Sequence, residues 1–190
     1  MRANMVTPHQ AQFLLDGLSY IETPSPVENE LMELSGIRGR THSGADWAQL
    51  LRCKVLPDGV GTSTSNNYGQ INFPKGSELF RELRNAGVLR VMCHHLPFRA
   101  QDEYIDQTLQ VSHTCGAKRC YRHDHLVQES SVDNNNRIGC RGVLLLVWDK
   151  TIYQEVDCGH RPNCSLASIV KLNGPIQFRS PRPFLSRFGN

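Results

Sequence analysis

With 190 residues, 39% of them hydrophobic, a mean hydropathy of −0.41 and a formal net charge of +3, the chain suits one domain with extensions and a modest apolar core. There is no run of about 18 apolar residues and no apolar stretch in the opening MRANMVTPHQ, which argues against a helical membrane span and a secretory signal. The expected compartment is therefore intracellular and reducing, where seven cysteines point to metal before disulfides; the small positive charge is compatible with a nucleic-acid partner but selects none.

Residues 7–22 open on Thr7-Pro8, a cap and first helical position, and carry Phe13, Leu14, Leu18 and Ile21 at helical spacing. Pro24 and Pro26 end that pattern, and a second short helix is expected around Leu31, Met32 and Leu34, completing an N-terminal helical extension over 1–36. Over 37–100 the pattern turns to strands. AQLLRCKVL alternates loosely, PDG marks a turn, NNYGQINF reads as the partner strand, and VLRVMC as another. Arg52, Lys54, Gln70 and Asn72 fall along these strands, either as a solvated sheet face or as base-reading side chains, with Lys75 just beyond. Between them Ser77 caps a short helix holding Leu79, Phe80 and Leu83, closed by Asn85-Ala86-Gly87. The last stretch, 165–190, has Pro175, Pro181 and Pro183 interleaved with Phe178, Phe184 and Phe188, and reads as a tail with little structure of its own.

The remaining segment, 101–164, is the specific one. Cys115, Cys120 and His125 stand five positions apart, three thiol or imidazole groups in one short loop. Zinc takes four such ligands in a tetrahedron, so a fourth must come from upstream, where Cys53 and Cys93 are available. Cys140, Cys158, His160 and Cys164 form a second set complete in itself, because RGVLLLVWDKTIYQEVD reads as a hairpin turning at Asp149-Lys150 that returns Cys158 to Cys140. Each structural zinc supplies on the order of 10 kcal/mol of folding free energy, which offsets the sparse apolar composition.

Between the two sets lie the candidates for chemistry. His113 closes the strand TLQVS, a second strand runs from His125 through Val127, and Ser130 with Asp133 resembles a capping box that puts Asn134 in the first turn of a helix. A strand, a metal-bound loop, a strand and a helix make a ββα unit. A rigidly held histidine is suited to act as general base on water, and an asparagine carbonyl is a hard ligand for Mg²⁺.

The run SHTCGAKRC…HDHL…ES…DN resembles the His-Cys box homing endonucleases, the intron-encoded members of the ββα-metal (His-Me finger) nucleases. The likeness covers His113, Cys115, Cys120, His125, Glu129 and Asn134, and Cys158-x-His160-x-x-x-Cys164 is similar to the family's second zinc site, with a longer gap after Cys140. The resemblance implies an α+β fold of small antiparallel sheets around a ββα-metal core stapled by two structural zinc ions. It also implies one catalytic Mg²⁺ held through Asn134, with His113 as base. A thiol well upstream would complete the first zinc site, which fits Cys53 better than Cys93. It further implies a homodimer on double-stranded DNA with a pseudo-palindromic target, a sheet in the major groove, a swapped tail and a nuclear location. An arginine near the site would hold the phosphate, with Arg52 and Arg119 as candidates. A non-specific nuclease and a DNA-binding protein without catalysis are the alternatives.

Overall fold

The computed structural model describes residues 3–34, 36–37, 43–57, 62–63, 68–72 and 76–174. The elements run α1 (Pro8–Asp16), β1 (Ile21–Thr23), α2 (Glu28–Met32), β2 (Gly36–Ile37), α3 (Gly44–Leu51), β3 (Cys53–Val55), β4 (Thr62–Ser63), β5 (Gly69–Asn72), α4 (Glu78–Asn85) and β6 (Arg90–Met92). They continue with α5 (Leu96–Ala100), β7 (Gln110–His113), β8 (Leu126–Glu129), α6 (Ser131–Arg137), β9 (Val143–Trp148), β10 (Thr151–Val156) and β11 (Ala167–Lys171). This is the expected class, a mixed fold of helices and small sheets.

Several elements differ from their sequence reading. Thr7 does cap α1, through a reciprocal capping box with Gln10, but the helix stops at Asp16 and Ile21 belongs to β1, which pairs antiparallel with β3. Half of the expected strand AQLLRCKVL is helical. Ser43 and Asp46 form a capping box at the start of α3, and Ala48 and Leu51 bury one face at three-residue spacing, so strand begins only at Cys53. VLRVMC is strand only to Met92; Cys93–His95 forms a 3₁₀ turn leading into α5. The stretch 165–190 is not wholly without structure, because Ala167–Lys171 forms β11; residues 175–190, with the expected swapped tail, lie outside the described residues.

Four sheets result. The largest has the order β11-β9-β10-β2 and is mixed: β9 and β10 form the antiparallel hairpin, while β11 runs parallel to β9 and β2 parallel to β10. The hairpin turns at Asp149 and Lys150, both with positive φ, as a two-residue turn matched to strand twist demands. β4-β5-β6 and the two-stranded β1-β3 and β7-β8 sheets are antiparallel.

Among the described residues, the two larger apolar clusters support these sheets, and each draws on distant segments. The first joins Val6 and Ala11 from the N-terminal segment to Leu83, Leu96, Ile105, Val111 and Leu126. The second packs Leu31, Ala48 and Leu51 on Val143, Leu145, Val147 and Ile152 of the hairpin. No helix among the described residues is long and apolar enough to cross a membrane.

Candidate functional site

Cys53, Cys115, Cys120 and His125 meet in a buried cluster whose ligand atoms all lie within 4.8 Å of one another. Cys53 reaches it because β3 docks along the loop: Val55 bridges Cys120, and the Tyr121 N–H donates to the Lys54 carbonyl at 3.0 Å. Cys93 does not join this group; it is buried elsewhere, and loss of solvent pushes its thiol up to about 12. His125 is held by α3, its Nε2 lying 2.7 Å from the Leu50 carbonyl. A carbonyl only accepts, so Nε2 carries the proton. Nδ1 then keeps its lone pair toward the thiols, 3.5 Å from Cys53 Sγ and 3.8 Å from Cys120 Sγ.

The second cluster, Cys140, Cys158, His160 and Cys164, is equally tight and less buried. The hairpin register sets it, since Val156 lies opposite Leu144 and the chain past β10 returns beside Cys140. Backbone N–H groups already point at its sulfurs: Cys164 N–H donates to Cys158 Sγ and Gly142 N–H to Cys140 Sγ, both at 3.4 Å. Burial alone would raise the Cys158 thiol, but the N–H groups of Cys164 and His160 outweigh it and bring it down to about 6. Three thiols and one imidazole within tetrahedral reach are a zinc donor set, and both clusters have it.

Between the clusters stands a ββα unit. β7 and β8 pair antiparallel with His113 opposite Leu126, and Ser130 caps α6 by accepting the Asp133 N–H. His113 is buried at the end of β7, its ring packed against Tyr68 at 5.6 Å and His94 at 5.0 Å between centroids. Its Nε2 lies 3.0 Å from the Cys120 carbonyl, so the loop that holds the first cluster fixes the tautomer and leaves Nδ1 as the basic nitrogen. Burial holds the imidazole below its usual range, against the pull of the Cys120 carbonyl, which keeps Nδ1 unprotonated at neutral pH. Asn134 is the fourth residue of α6, half-buried, and its Nδ2 donates to Gln110 Oε1 at 2.8 Å. That bond engages the amide nitrogen, and Oδ1 is a hard oxygen of the kind that can hold a divalent cation.

The candidate nucleic-acid contacts divide. Lys54 is exposed on β3 with its ammonium 5.1 Å from the Tyr20 ring centroid. Arg52 faces carboxylates: it bonds Glu28, at 3.1 Å through Nε, and Glu22, and these raise its pKa further. Gln70 is buried within the β4-β5-β6 sheet, an environment that takes it away from a base edge. Arg119 is half-buried and donates to the Pro57 carbonyl. Asn72 lies on β5, but its side chain, like all of Lys75, falls outside the described residues.

A family model described as the zinc-binding loop region of homing endonuclease matches residues 53–176, from the first ligand of one cluster to beyond the last ligand of the other. The chain belongs to that family. The matched span of this homing-endonuclease domain is the span the geometry singles out, and with its two metal clusters it makes the chain a metal-dependent, nucleic-acid-binding member of a nuclease family. No curated protein matches the chain.

Sequence reasoning passed over three features of this domain. His94 and His95 pack edge to face 4.5 Å apart, with His94 against His113. Arg137 and Glu129 form a buried ion pair at 2.9 Å behind the ββα unit. Thr114 and Ser165 meet through their hydroxyls at 2.6 Å. The approach of His94 to His113, the Glu129–Arg137 pair and the Thr114–Ser165 contact carry no spacing signal, because packing makes each of them.

Proposed function

We propose that the chain is a site-specific endodeoxyribonuclease of the homing type, acting as a homodimer on a pseudo-palindromic duplex in the nucleus and leaving a staggered double-strand break. The observation that carries the reading is the orientation of His113, whose Nε2 is committed to the Cys120 carbonyl in a buried pocket while Nδ1 remains a neutral base. His113 Nδ1 takes the proton of a water whose oxygen attacks the scissile phosphorus in line. The phosphorus–O3′ bond breaks, and the 3′ oxygen leaves as a hydroxyl after taking a proton from solvent. A Mg²⁺ ion held through Asn134 Oδ1 would supply the positive charge that offsets the charge building on the phosphate and the leaving oxygen. One ββα unit cuts one strand, so two strands require two chains, and a two-fold protein suits a pseudo-palindrome. Lys54 on the β1-β3 ribbon is a phosphate contact in this reading.

The test is cleavage of plasmid DNA with and without a candidate intron-insertion site, in Mg²⁺, with His113→Ala beside the parent. Discrete fragments from the parent only are expected, with rate falling about 100-fold or more in the variant while DNA binding persists. A smear would instead indicate a non-specific nuclease, and binding without cutting by the parent would remove the catalytic assignment.

A further inference from the structure

The residues on either side of His113 are both tied to one loop, the loop that supplies the last ligand of the second metal cluster. Ser112, fully buried on β7, donates its hydroxyl to Glu129. Both Glu129 oxygens accept from Arg137 Nε at 2.9 Å, and Arg137 Nη1 donates onward to the Pro162 carbonyl at 2.9 Å and to Cys164 Sγ at 3.4 Å. On the other side, Thr114 is buried with its hydroxyl 2.6 Å from Ser165 Oγ, and the Ser165 N–H donates to the Thr114 carbonyl at 3.0 Å. Both paths end at Cys164–Ser165, some fifty residues downstream in the chain.

β7 needs such support. Among the described residues its only strand partner is β8, and a two-stranded ribbon alone is marginal in water. The first cluster holds the His113 ring from the loop side through the Cys120 carbonyl, and the Thr114 N–H through the His125 carbonyl at 2.9 Å, but the Ser112 and Thr114 side chains bond Glu129 and Ser165 instead. The Arg137 guanidinium also gives Cys164 a charge-assisted donor, the kind of outer contact that settles a thiolate as a metal ligand.

We infer that the second metal cluster positions His113: it anchors the residues that flank the histidine, through Arg137–Glu129–Ser112 on one side and Ser165–Thr114 on the other. The coupling runs in both directions, so the same contacts retain the metal. Arg137, Glu129, Thr114 and Ser165 are positioning residues, and the functional consequence rests on the reading of His113 as the base.

Two double variants test it in the zinc-loaded, full-length protein. Thr114→Val/Ser165→Ala removes both hydroxyls and no charge; Glu129→Leu/Arg137→Met removes both members of the ion pair and leaves no buried charge alone, while the Ser112 hydroxyl loses its acceptor. Three readouts are taken: the rate at which one zinc equivalent passes to a chelator, the solvent exchange of the His113 Nε2–H proton by NMR, and the split of cleavage kinetics into DNA affinity and turnover. Each variant is expected to keep two zinc ions before challenge. The Arg137 variant should then release one of them about 10-fold faster or more. In both, the Nε2–H proton should exchange faster and turnover fall at least 10-fold with DNA affinity unchanged. An unchanged His113 proton in both variants would overturn the inference, as would unchanged zinc release from the Arg137 variant. If the ion-pair variant does not fold, the hydroxyl variant decides. The zinc and NMR readouts need no cleavage, so a parent protein that never cuts DNA would refute the base assignment while leaving the anchor measured.

Discussion

Substituting Glu129 by alanine would set a buried cation loose at the back of the ββα unit. Both carboxylate oxygens accept from Arg137 Nε at 2.9 Å, and the two side chains are only 7% and 5% exposed. Removing one partner of such a pair costs about 3–5 kcal/mol, because the guanidinium stays desolvated without its counter-charge. The Ser112 hydroxyl loses its acceptor as well, while the bonds from Arg137 to Pro162 and Cys164 keep the loss from rising further. For a chain of this size each kcal/mol moves the melting temperature by about 2–4 °C, so Glu129→Ala should melt roughly 6–20 °C below the parent. Replacing the pair as Glu129→Leu/Arg137→Met should recover most of that loss, since apolar residues of similar volume have no charge to desolvate. Calorimetry in a fixed excess of zinc is the assay, because metal occupancy itself shifts the transition. A single variant melting within about 2 °C of the parent, or a double variant no more stable than the single, would refute the reasoning.

Cys53→Ser should bind one zinc per chain where the parent binds two, and Cys93→Ser should still bind two; metal analysis after gel filtration distinguishes them, and the reverse result would put the first cluster's fourth ligand at Cys93. Burial and the neighbouring His113 lower His95 from about 6.5 to about 4, so the unfolded chain takes up a proton that the folded chain refuses in that window. Stability should therefore fall as pH drops from 6.5 to 4, by about 3 kcal/mol from this group, and melting curves of His95→Phe should show a shallower slope over the same range. Lys54→Ala should lower the salt dependence of DNA binding by about one unit of slope, while Arg52→Ala, whose charge is already engaged by Glu28 and Glu22, should leave it within a few tenths. Equal effects in titrations at several salt concentrations would place both residues on the phosphate backbone.

The amino-acid sequence determined the parts of this protein that are local. Five-residue spacing brings Cys115, Cys120 and His125 into one loop, Ser130 caps the helix carrying Asn134, and Asp149-Lys150 turns the hairpin that returns Cys158 to Cys140; in each, the chain within a few residues sets the geometry. Short apolar runs were ambiguous for the opposite reason. AQLLRCKVL contains both a helical and an extended period, and only the packing of Ala48 and Leu51 against the β9–β10 hairpin makes its first half α3. Tertiary structure alone brought Cys53 rather than Cys93 to the first cluster, through the docking of β3 on the loop. It likewise buried Gln70, turned Arg52 to carboxylates, placed His94 against His113 and joined Arg137 to Cys164. Those choices depend on contacts between residues 19 to more than 60 positions apart, where a side chain's type is visible in the sequence but its partner is decided by how sheets and helices pack.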